Sequence, residues 1–109
     1  MIYVISPYSH PDLGVRQQRF VAACCATAAL ARAGHLAISP IVHGHSLAEF
    51  GVPTDWSFWQ HWRRDLLARC DEVIVLQLDG WIESVGVQAE IALARALAQV
   101  QHFGGRICW

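Results

Sequence analysis

The chain has 109 residues, of which 54% are hydrophobic and only 16% charged, with a formal net charge of −1. That length predicts one domain, and so apolar a small domain is expected to cover part of its surface with a ligand or a second copy, as a homo-oligomer. The charge balance leaves no basic stripe for a nucleic acid polymer, and the absence of any Lys excludes Schiff-base chemistry and the P-loop lysine.

Residues 2–6 form a short β-rich run closed by Pro7 and predict a buried strand. Residues 7–14 are turn-rich, with Ser9 or Asp12 as cap of the next helix. Residues 15–33 predict that helix, with an apolar stripe of Phe20, Val21, Cys24, Ala28 and Ala31, and Gly34 just past its end. Residues 35–42 predict a second strand broken by Pro40. A long connection over 43–55 follows, with one helical turn at Leu47–Phe50. Thr54 or Asp55 then opens a helix running to about Arg69. Residues 72–78 are the clearest strand, an apolar run suited to cover on both faces. A loop over 79–84 leads into an Ala-rich helix over 85–99 capped by Ser84, and Arg106–Trp109 predict a last strand.

Strand and helix thus alternate, which predicts an α/β fold: a single-domain three-layer sandwich on a mainly parallel sheet of four to five strands. No apolar run reaches the roughly 20 residues of a bilayer span, and the N-terminus lacks a signal-peptide pattern, so the sequence reads as soluble and cytoplasmic. Cys24, Cys25, Cys70 and Cys108 form no CxxC pair and read as free thiols.

In such sheets ligands bind outside the carboxyl ends of the strands. The loops expected there collect Tyr8, Ser9, His10, His43, His45, Asp79, Trp81 and Ser84, whereas Asp71 and Glu72 fall at the opposite edge as solvated turn acids. Glu90 stands out because it sits among Ala89, Ile91, Ala92 and Leu93, where a carboxylate is costly unless stabilised. The positive end of the helix dipole lies one turn away, and Gly86, four residues earlier, leaves room on the same face. Asp65 is the second carboxylate: it reads either as a surface partner of Arg69 or as the acid to a Glu90 nucleophile. His43 and His45 lack a third ligand at metal spacing. Trp56, Trp59 and Trp62, three residues apart, suggest core or subunit contact, and Trp81 either stacks on a base, closes a lid or packs.

Tyr3 in IYVISPYS, Asp65 in RRDLLARCDEVIVL and SVGVQAE ending in Glu90 resemble, in order and spacing, the nucleoside 2-deoxyribosyltransferase-like superfamily. SPYSHPD, SPIVHGH and the GW after the third strand are similar to a compact bacterial subfamily of it. The resemblance covers essentially the whole chain and implies a Rossmann- or flavodoxin-like sheet. It implies a retaining transfer at C1′ of a nucleoside or nucleoside 5′-monophosphate, with no cofactor and no metal. Glu90 would be the nucleophile, Asp65 would protonate or hold the leaving base, and Tyr3 would orient Glu90. Ser84, with the amides at its helix start, would bind the sugar hydroxyl or 5′-phosphate, with Ser9 and His10 added to that pocket. Ser84 stands where the transferases usually carry Asp and is more like the branch that hydrolyses deoxynucleoside monophosphates. The family is usually oligomeric, which implies a dimer or tetramer. Two alternatives stand beside an enzyme: a non-catalytic nucleotide-binding or sensing module, and an assembly protein using the Trp-rich surface.

Overall fold

The computed structural model describes residues 1–97 and the backbone of residues 100–104. The elements are β1 (Ile2–Ile5), α1 (Leu13–Arg32), β2 (Ala37–Ile38), α2 (Pro40–Ala48), α3 (Trp56–Ala68), β3 (Glu72–Leu76), α4 (Val85–Ala96) and β4 (Val100–Gly104). The sheet runs in the order β2-β1-β3-β4 with every pairing parallel. Tyr3, in β1, has Ile38 on one side and Val73 on the other. β1, β2 and β3 carry the described core, and β4 joins through its backbone pairing with β3. The expected strand at Arg106–Trp109 lies outside the described residues.

All four residues of β1 are buried because the strand is central and covered on both faces. Its side chains alternate accordingly. Ile2 and Val4 pack with Ala26 and Leu30 of α1. Tyr3 and Ile5 pack with Leu67 of α3 and with Val87, Ile91 and Ala94 of α4. Helices therefore cover both faces of the sheet, α1 on one and α3 with α4 on the other. The buried face of α1 is Ala23, Ala26 and Leu30, and Val21, Ala28 and Ala31 of the expected stripe are exposed. In a helix so rich in Ala the stripe read from spacing is not the buried one, and docking on β1 chooses the face.

The span expected as a strand over 35–42 divides in two. Only Ala37 and Ile38 pair with β1, and Ser39 then caps α2 by accepting from the Val42 amide at 3.3 Å. Pro40 stands at the first helical position, where its missing N–H costs nothing. The pair Ser39–Pro40 is thus a helix start, not a strand break, and residues 43–48 are helical rather than loop. Asp12, Asp55 and Ser84 cap α1, α3 and α4 through their side chains. Gly34, at φ +89°, ends α1, where its backbone N–H donates to Ala31 O. Cys24, Cys25 and Cys70 are free thiols, and among the described residues no helix is long and apolar enough to cross a membrane.

Candidate functional site

β1 ends at the mouth of a cleft of about 290 Å³ at the carboxyl edge of the sheet. Here the chain has gone from β1 to β2 on one side and returns to β3 on the other, which is where open parallel sheets form a crevice. Ser6, Tyr8 and Ser9 line it from the loop after β1. Trp56, Trp59 and Arg63 line it from α3, and Ser84, Val85 and Gly86 from the start of α4.

Beneath this cleft lies Glu90, 2% exposed. The Tyr3 hydroxyl donates to its Oε2, and Arg63 Nη1 donates to Oε1 at 3.1 Å. Burial pushes the Glu90 carboxyl above the usual range, while the Arg63 guanidinium and the Tyr3 hydrogen bond oppose that rise. Burial, with the Glu90 charge beside it, drives the Tyr3 hydroxyl well above its usual value, so Tyr3 stays a donor. Glu90 lines a smaller opening of about 110 Å³, together with Gln60, Ala89 and Leu93. Trp56 and Arg63 line both spaces and so form the wall between them. The Arg63 guanidinium sits over the Trp56 ring, 5.6 Å from its centroid.

Among the described residues, two buried side-chain polar atoms have no hydrogen-bond partner: Ser6 Oγ and Arg63 Nε. A buried polar group left unmade costs about 1–3 kcal/mol. Both residues line the same cleft.

The structure brings together Tyr3, Glu90, Ser84, Gly86, Tyr8 and Ser9 at or under this cleft, and leaves others aside. Ser84 spends its Oγ on the Val87 amide at 3.2 Å as the α4 cap. The space beside Gly86 is taken by Trp56, whose ring carbons would meet an added Cβ at 3.7 Å. Tyr8 bonds His45 Nδ1 at 2.8 Å, and His45 stacks on Phe20 at 4.0 Å between centroids. His43 stacks on Trp62 at 4.8 Å. The two histidines thus turn to opposite neighbours, α1 and α3, and neither lines this cleft. His10 is exposed, and its Nδ1 accepts from the Asp12 amide at 3.0 Å. Trp81 packs against the core cluster of Tyr3 and Val87 rather than lining the cleft.

Asp65 is exposed and lies two positions from Arg63, about 200° around the helix. The structure therefore does not bring it to Glu90. Nor does its carboxylate hold Arg69; Arg69 Nη1 donates to the Asp65 carbonyl at 2.7 Å. Arg63 is the residue that sequence reasoning missed. Its only signal was its place one turn before Leu67, which is fully buried in the core.

Chemically, the arrangement is a buried carboxylate fixed by one neutral and one cationic donor, under a cleft with aromatic walls. The chain matches the family described as Domain of unknown function (DUF1937) over residues 1–103 and belongs to it. No curated protein matches the chain.

Proposed function

We propose that the protein acts on a nucleoside or nucleoside 5′-monophosphate as an N-glycosyl hydrolase or deoxyribosyltransferase, with Glu90 as nucleophile. The observation that carries this reading is Glu90 itself, buried at 2% exposure and held through both oxygens by Tyr3 and Arg63. A carboxylate so placed is oriented, and Arg63 supports its charge against burial. In this reading Oε1 is the attacking oxygen, and Arg63, which stands between it and the cleft, moves aside as substrate binds. This oxygen bonds to C1′ as the C1′–N bond breaks, and the base leaves with the bonding electrons and takes a proton from solvent. Water or a second base then attacks C1′ and frees Glu90 with net retention. Trp56, Trp59 and Tyr8 offer the faces on which a base can stack. A Rossmann- or flavodoxin-like assignment of the sheet belongs to the same reading, supported by the reversal of strand order at β1. So does a dimer or tetramer, supported by exposed Phe58, Ile82 and Val85.

The test is chromatography of deoxynucleosides and their 5′-monophosphates incubated with and without a free acceptor base, beside Glu90→Ala. Base release or exchange that vanishes in the variant is the expected result. Turnover that persists in a folded Glu90→Ala protein overturns it.

One observation favours a second reading, a nucleotide-binding or sensing module without catalysis. Both Glu90 oxygens are already engaged, which suits a structural carboxylate as well as a nucleophile. That reading expects saturable ligand binding with no product in the same assay.

A further inference from the structure

The glycosyl transfer proposed above needs a proton for the departing base, and Asp65, the acid expected from the sequence, stands away from Glu90. The loop after β1 supplies another donor. Tyr8, half-buried, lines the main cleft together with Trp56, Trp59 and Arg63. Its hydroxyl bonds His45 Nδ1 at 2.8 Å. His45 stands behind Tyr8, in a small space that both share with Thr54, Trp59 and Arg63. Phe20 stacks on the His45 ring at an interplanar angle of 19°, which holds the imidazole plane against α1. Burial raises the Tyr8 hydroxyl above its usual value, and the Arg16 guanidinium opposes that rise. Tyr8 therefore meets a ligand as a protonated acid, with a cation beside it to steady the phenolate left behind.

We infer that Tyr8 is the proton donor to the leaving base, and that His45 behind it positions the hydroxyl and replaces its proton. This inference rests on the glycosyl transfer proposed above. A base stacked on Trp56 or Trp59 shares the cleft with Tyr8. An imidazole nitrogen accepts from a phenol when bare and donates to it when protonated. With a proton on Nδ1, His45 donates to the Tyr8 oxygen and releases the Tyr8 O–H to the cleft. As the C1′–N bond breaks, a base nitrogen takes the Tyr8 proton, the Tyr8 oxygen takes the Nδ1 proton, and the base leaves neutral. His45 then recovers a proton from solvent, which remains the source. In transfer to a second base the same steps run backwards. The other ionisable groups lining these spaces do not suit the role. Arg16 and Arg63 keep their protons. Asp55 is spent on the Phe58 amide and the Ser57 hydroxyl in capping α3. Glu83 and His10 are exposed, and His10 Nδ1 is taken by the Asp12 amide.

The test is base release by wild type, Tyr8→Phe, His45→Gln and Glu90→Ala from the natural deoxynucleosides, from 7-methyl-2′-deoxyguanosine, and from their 5′-monophosphates, corrected for spontaneous release. The methylated base is already cationic in the substrate and leaves neutral without a proton, so it needs no acid. Tyr8→Phe should slow release of a natural base about 100-fold or more and leave release of 7-methylguanine little changed. His45→Gln should slow the natural base likewise. It should also abolish the fall in rate that wild type shows as rising pH strips the proton from His45. A merely structural His45 would slow both kinds of substrate alike and leave the pH profile in place, which overturns its part. In wild type alone, a solvent deuterium isotope effect on release of the natural base reads the same proton, and its absence overturns the acid role even where a variant fails to fold. Tyr8→Phe slowing both kinds of substrate equally, or neither, overturns the acid role, while loss of turnover in Glu90→Ala leaves the glycosyl transfer standing. No release of any base by wild type overturns the transfer and the acid role with it.

Discussion

Tyr3 and Glu90, 87 residues apart in the chain, share a hydrogen bond inside the core. Tyr3 is fully buried between Ile38 and Val73, in the central strand, so its hydroxyl is as fixed as the sheet. Tyr3→Phe removes the donor and leaves Glu90 Oε2 buried and unmade. Chemical denaturation should show a loss of about 1–3 kcal/mol. Because that hydrogen bond also favours the ionised carboxylate, the Glu90 titration should move further up. Unchanged stability together with an unchanged titration would mean the contact does not hold Glu90.

Arg63 is the counter-ion of a carboxylate with almost no access to water. Arg63→Met should cost about 3–5 kcal/mol at neutral pH, the usual result of stranding one member of a buried pair. The loss should shrink in acid. Burial already raises the folded Glu90 carboxyl above 4.5, so the folded state binds its proton more readily than the unfolded chain. Stability from this group therefore falls as pH rises from about 4.5 through the raised folded value. Without Arg63 the folded value rises further, and the window widens upward. The difference between wild type and variant in denaturant melts across that range reads this directly. A difference that is flat with pH would sink the assignment.

Gly80 holds φ +90° in the loop after β3, and a Cβ there would lie 2.6 Å from Arg19 Nη2. Gly80→Ala should therefore cost about 1–2 kcal/mol in backbone strain alone. It should also displace the guanidinium that donates to the Asp79 carbonyl at 3.0 Å. A thermal melt that matches wild type would show that the loop relaxes freely.

Glu90 was legible because its neighbours in sequence are Ala and Ile, and a carboxylate in that company needs a partner. Its partner was not legible. Arg63 stands in WRRD, a run that reads as solvated, and it meets Glu90 only through the docking of α3 beside α4, across 27 residues. Asp65 drew attention for the same reason that misplaced it: charge in sequence does not say which side of a helix faces the neighbour. The alternation of strands and helices was plain from apolar runs and turns. The start of α2 was missed although Ser39–Pro40 is a recognisable cap, because Pro was read as an interruption of the apolar run around it. The burial face of α1 had no signal in a helix so rich in Ala.

Arg19 holds the mouth of the fold together by donating to the Ser9 carbonyl at 2.9 Å and the Asp79 carbonyl at 3.0 Å. Both acceptors are main-chain oxygens, which every residue possesses. The brace therefore reads the path of the two loops and ignores their side chains. Loop residues can be exchanged, and recognition retuned, while the frame that spaces the loops stays the same.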